Sequence, residues 1–178
     1  MVMEQETDAP WLDDREQAAW RGFLKMQAQL LARMNRSLAA ESGISDGDYA
    51  VLVSLSEAPD SRVRAFEMAR DMQWEKSRLS HQLTRMERRG LVQRAECPSD
   101  ARGAFIVLTE LGRSCIEAAA PRHVADVRRW FIDVLSPEQI DAMTGIVDTV
   151  LAALGDPPVP AGCPGGSDGL DAGCQDDV

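Results

Sequence analysis

Histidine is scarce in this sequence, with only His81 and His123, and the four cysteines, Cys97, Cys115, Cys163 and Cys174, form no C-x-x-C pair. Neither a zinc site nor a disulfide framework is expected, and no metal or cofactor is assigned. Apolar runs of about 18 residues, the length that crosses a bilayer, are missing as well, so no membrane partner is expected. The first ten residues are acidic and polar where a signal peptide is basic and then apolar, which points to a cytoplasmic protein. Basic charge is also in deficit: 19 Lys and Arg against 29 Asp and Glu give a net charge of -10. Taken whole, that balance speaks against a nucleic-acid binder. What is present is 178 residues, 44% of them hydrophobic, enough for a self-sufficient core.

The two ends differ from the middle. Residues 155–178 are dense in Gly, Pro and Asp and cannot repay the entropy of ordering, so they read as a disordered tail, and residues 1–12 as a flexible N-terminus. Between them helical periodicity dominates. Trp20, Leu24, Leu31, Met34 and Leu38 place one long amphipathic helix over about residues 13–41, stopped by Gly43. Ser45, with Asp48 three residues on, opens a second helix running up to Pro59. A third is expected over about residues 63–72. A fourth follows Gln73 and Trp74, with Leu79, Leu83 and Met86 inward and Gly90 as its end.

Residues 91–93 and 104–108 then read as the two arms of a β-hairpin. Thr109 caps a fifth helix expected to continue to Val134 with a kink at Pro121. Ser136-Pro137-Glu138-Gln139 combines an N-cap, a proline at the first helical position and a capping-box glutamine, and starts a sixth. The fold class is thus mainly α with a small β-hairpin.

Divided along the chain, the charge tells a different story. Residues 61–103 hold ten basic and six acidic side chains, while the flanking stretches are strongly acidic. A basic stripe confined to a helix-turn-helix and hairpin is the footprint of a DNA reader, because neutralised phosphates supply the sequence-independent part of affinity. With its apolar residues inward, helix four offers Lys76, Ser77, Arg78, Ser80, His81, Gln82 and Arg85 to a major groove. Arg94 and Arg102 of the hairpin extend the stripe.

The stretch from Trp74 to Val92 resembles the recognition helix and first wing strand of the MarR family of winged-helix transcription regulators. Asp100-Ala101-Arg102-Gly103, followed by Val107-Leu108-Thr109-Glu110-Leu111-Gly112, resembles that family's wing motif and its return into the dimerisation helix. Leu135-Ser136-Pro137-Glu138-Gln139 resembles the start of its last helix, so the resemblance covers about residues 13–154. It implies a winged helix-turn-helix domain over residues 45–108 and a helical dimerisation region formed by residues 13–44 and 109–154. It further implies a homodimer acting on double-stranded DNA at a pseudo-palindromic operator, usually as a repressor released by a small aromatic or acidic effector. In the wing, Arg102 can reach a minor groove and Asp100 can hold it by a charge-assisted bond. The family often has glycine before the Trp, and here it is Gln73, so that turn is made without a free left-handed residue.

Gly43-Ile44-Ser45-Asp46-Gly47 and Gly165-Gly166-Ser167-Asp168-Gly169 match G-x-S-x-G, but a nucleophile elbow needs a strand before its serine, so no catalytic residue is assigned. Cys97, set between basic residues in the wing, is the candidate for a redox-responsive alternative. Where helices one, two and five meet, Trp20, Phe23, Leu24, Tyr49 and Val53 are the candidate lining of an effector pocket.

Overall fold

The computed structural model describes residues 11–95 and 104–155. The chain divides into two compact units, one ending at Val134 and the other beginning at Leu135.

In the first unit, α1 runs Asp14–Ser42 between signals visible in the sequence. Asp13 forms a full capping box with Glu16, and Gly43 closes the helix in the left-handed conformation at φ 63°. Next, α2 spans Asp46–Glu57 behind the reciprocal Ser45 and Asp48 capping box. The serine of the first G-x-S-x-G match is therefore a helix cap reached from a helix, its hydroxyl accepting the Asp48 N–H at 3.1 Å.

The third element departs from expectation. Residues Arg62–Arg64 form a strand, β1, and only Ala65–Asp71 is helical, as α3. Val63 is drawn out of the helix by pairing with Ile106. Then α4 spans Lys76–Arg88, followed by β2 at Val92–Ala95 and β3 at Phe105–Leu108. The sheet has three antiparallel strands in the order β1-β3-β2, so the expected hairpin carries a third strand at its edge. Gln73 answers the missing glycine by adopting φ 51° itself.

Thr109 caps α5, Glu110–Trp130, which continues through Pro121 and ends four residues before Val134; Ile132–Val134 tightens into a 3-10 turn. The core lies where α2, α3 and α4 meet the sheet, around Leu52, Leu55, Met68, Met86, Val92 and Ile106, with Ile116 and Ala119 of α5 and Leu38 of α1 closing it. At the start of α5, a Cβ on Gly112 would lie 2.1 Å from the Leu91 carbonyl oxygen, so only glycine allows this helix to meet the end of α4 so closely.

In the second unit α6 spans Pro137–Leu154, with the Ser136 and Gln139 capping box in place and Gly155 closing it at φ 81°. None of its residues is buried, and Ile146, Val150 and Leu154 are exposed. Among the described residues no helix is long and apolar enough to cross a membrane.

Candidate nucleic-acid interface

Helix α4 sorts its side chains sharply. Leu79, Gln82, Leu83 and Met86 are buried, while Lys76, Ser77, Arg78, Ser80, His81 and Arg85 are exposed together. Its N-cap, Glu75, makes no side-chain capping bond, so the first-turn N–H groups stay open to an anion.

Several cations on and beside this face are braced. The Arg78 guanidinium sits over the Trp74 ring, 4.2 Å from its centroid. The Arg85 guanidinium donates to the Gln82 side-chain oxygen. On β2, Arg94 reaches back to α4, with its Nη2 3.3 Å from Thr84 Oγ1 and its Nε 3.7 Å from Glu87. Lys76, Ser80 and Arg94 rim a cavity of about 330 Å³ whose floor includes Leu79, Leu83 and Ile106. A convex polar helix with braced guanidinium groups and an adjoining two-stranded arm can follow a groove, neutralise phosphates and donate to base edges.

A family model described as the MarR family matches residues 44–103. AbsC, a MarR family transcriptional regulator from Streptomyces coelicolor, is 42% identical, covering 82% of this chain and 98% of its own at a TM-score of 0.77. The chain belongs to the MarR family. Sco3205, a MarR family regulator from the same organism solved in complex with DNA, is 36% identical over 83% of this chain and 92% of its own, with a TM-score of 0.79. The transcriptional repressor MprA of Escherichia coli K12 is 25% identical over 132 residues, 74% of this chain and 73% of its own. Membership makes this protein a DNA-binding transcriptional regulator with a winged helix fold.

In this MarR family regulator, one expected reading residue is misplaced. Gln82 is 4% exposed and lies on the inner side of α4, its amide Nε2 donating to Asp48 at 2.6 Å. Its spacing from Leu79 and Met86 already marked the inward stripe, but its polar character outweighed that signal. Asp100, Arg102 and Cys97, the second G-x-S-x-G match and the two tails fall outside the described residues.

The five candidate pocket residues are not gathered. Trp20 and Phe23 stack on each other with centroids 6.0 Å apart and are 53% and 47% exposed, and Leu24 beside them is exposed too. Tyr49 and Val53 instead line a concavity of about 630 Å³ on α2, with Glu57, Val63, Asp71 and Met72. Behind it the Tyr49 ring lies 4.4 Å from the imidazole of His123 on α5.

Burial raises the Tyr49 hydroxyl above its ordinary value, with help from Glu57. Burial lowers His123 against the opposing pull of Asp126, and its buried Nδ1 has no hydrogen-bond partner among the described residues. Cys115 packs on the core, and its thiol is raised mainly by burial, with Arg89 opposing the shift. Among the described residues, no three metal-ligating side chains cluster.

Sequence reasoning missed two features. Arg62 and Arg64 of β1 lie over the Phe105 ring at 5.3 and 4.7 Å, a cationic edge invisible without the strand that pairs with β3. Arg89 donates to Asp48 at 2.7 Å and to the Gly43 carbonyl at 2.9 Å, joining segments far apart in the chain.

Proposed function

We propose that this regulator acts as a homodimer that lays α4 in successive major grooves of a pseudo-palindromic operator and represses the gene behind it until a small molecule releases it. The observation that carries the reading is the exposed face of α4, where Lys76, Ser77, Arg78, Ser80, His81 and Arg85 stand over an apolar underside. Arg94 continues it on the wing, and Asp100 and Arg102 belong to the same arm in sequence. The resemblance to Sco3205, solved with DNA, and to MprA, named a repressor, supports the same assignment.

Apolar surface left open to water supports the dimer. Trp20, Leu24 and Leu31 of α1 and Ile146, Val150 and Leu154 of α6 are exposed, and a second copy would cover such stripes. Residues 13–44 and 109–154 are accordingly the dimerisation region, and residues 45–108 the reading head. For the effector, the α2 concavity with Tyr49 and Val53 is the candidate site, and the nearby Glu57 carboxylate favours an aromatic ligand over an acidic one.

Selection of bound fragments from genomic DNA by the purified protein tests this. The expected outcome is a dyad of half-sites about 10 bp apart occupied by two chains. Recovered sequences without a dyad, or one chain per duplex, would overturn the dimer reading.

A further inference from the structure

Among the described residues, Asp48 and Gln82 are the buried polar side chains of the core, at 3% and 4% exposure. Asp48 Oδ2 accepts the Ser45 N–H at 2.9 Å and Arg89 Nη1 at 2.7 Å, and its Oδ1 accepts Gln82 Nε2 at 2.6 Å. The other end of the Gln82 amide, Oε1, accepts from Arg85.

Chemistry fixes the direction of that amide. A carboxylate accepts only and a guanidinium donates only, so Nε2 must face Asp48 and Oε1 must face Arg85. Gly47 holds it from the side, since a Cβ there would come within 3.2 Å of the amide. The result is an ordered line from a buried carboxylate through a buried amide to a guanidinium at the surface, each dipole strengthening the next.

An exposed arginine otherwise samples many rotamers, and ordering it on DNA costs affinity. We propose that Asp48, acting through Gln82, positions the Arg85 guanidinium for base reading, so that operator discrimination depends on two buried side chains that touch no DNA. The proposal rests on Arg85 being a DNA contact, as the functional reading holds. Asp48 and Gln82 are positioning residues, whereas a purely structural role would change the amount of folded protein and leave the discrimination of the folded fraction untouched.

The test is a double-mutant cycle on the full chain, with a duplex selected from a random-sequence pool by the wild-type protein and a scrambled duplex of equal length. The readout is the ratio of the two affinities, which does not depend on the folded fraction. Arg85→Ala is expected to lower the ratio about tenfold. Gln82→Met, which preserves volume but removes both hydrogen bonds, should lower it about threefold to tenfold and have no further effect in the Arg85→Ala background. Because Gln82→Met keeps the Arg85 charge, its salt slope on scrambled DNA, where the guanidinium meets phosphate instead of its base, stays at the wild-type value, while Arg85→Ala makes that slope shallower by about 0.9 per reading helix.

Asp48→Asn, which leaves the amide without a full carboxylate acceptor, should reproduce the loss if Gln82→Met folds poorly. An unchanged ratio in folded Gln82→Met, or two effects that multiply, overturns the positioning role alone. An unchanged ratio and slope in Arg85→Ala overturns the assignment of Arg85 to DNA and the positioning role with it.

Discussion

The Arg78 guanidinium lies 4.2 Å from the centroid of the Trp74 ring, stacked by the residue that leads into its own helix. Trp74 packs against the core with the rest of its indole, so the ring is a fixed shelf rather than a loose neighbour. Such a contact is worth about 0.5–1 kcal/mol at an exposed site and holds the guanidinium plane in one orientation. Trp74→Leu should therefore weaken operator binding about twofold to fivefold, and Arg78→Ala more strongly, by about 1–3 kcal/mol. Fluorescence anisotropy with a labelled operator reads both, and wild-type affinity in Trp74→Leu would reject the shelf.

The turn between α3 and α4 is made by Gln73 at φ 51°, a conformation that costs a residue with a Cβ about 1 kcal/mol or more. Glycine removes that strain but gains freedom in the unfolded chain, which offsets part of the benefit. Gln73→Gly is expected to raise stability by about 0.5–1 kcal/mol, seen as a higher urea midpoint at unchanged slope. A lower midpoint would mean that the Gln73 side chain contributes more than its backbone costs.

At Gly112 the opposite holds. A methyl group there would meet the Leu91 carbonyl oxygen at 2.1 Å and the Leu108 side chain at 2.9 Å, and backbone cannot yield as a flexible side chain can. Thr109 fastens the same junction, its hydroxyl accepting the Gly112 N–H at 3.0 Å and approaching the Gly90 carbonyl at 2.6 Å. Gly112→Ala should cost at least about 3 kcal/mol and lower the thermal midpoint by several degrees, whereas a change within about 0.5 kcal/mol would contradict this close approach.

How much of this was legible in the sequence differs by element. The end of α1 and the start of α6 were, because Gly43 and the Ser136-to-Gln139 box are local chemistry that acts within one turn. Strand β1 was not, since three residues with one apolar side chain carry no period, and what makes Val63 extended is Ile106 on a distant strand. Gln82 was assigned to the outer face on its polar character against its inward spacing, since the partner that satisfies it inside, Asp48, lies 34 residues away and only the fold brings them together. The separation of Trp20 and Phe23 from Tyr49 and Val53 has a related reason: helical spacing places the first two on one side of α1, but does not say whether α2 reaches that side.

His123 predicts a pH dependence of stability. Its folded-state value is lowered from the ordinary 6.5, chiefly by burial, with Asp126 opposing the shift. The unfolded chain therefore takes up the proton first as pH falls, so the stability linked to this group is present above pH 6.5 and is lost as pH drops through the lower folded value. Denaturant midpoints should decline below that pH in the wild type and decline less in His123→Gln, which cannot titrate. Equal declines in the two proteins would remove His123 as the cause.

The central claim is that an acidic protein reads DNA through the basic face of α4. Its most direct test is operator affinity as a function of salt, measured by anisotropy on the purified protein against selected and scrambled duplexes. Affinity for the selected duplex should fall at least about a hundredfold between about 50 and 200 mM salt, stay well above that for the scrambled duplex, and lose about one unit of log–log slope in Lys76→Ala. A salt-independent affinity, or equal affinity for the two duplexes at every salt concentration, would contradict the account.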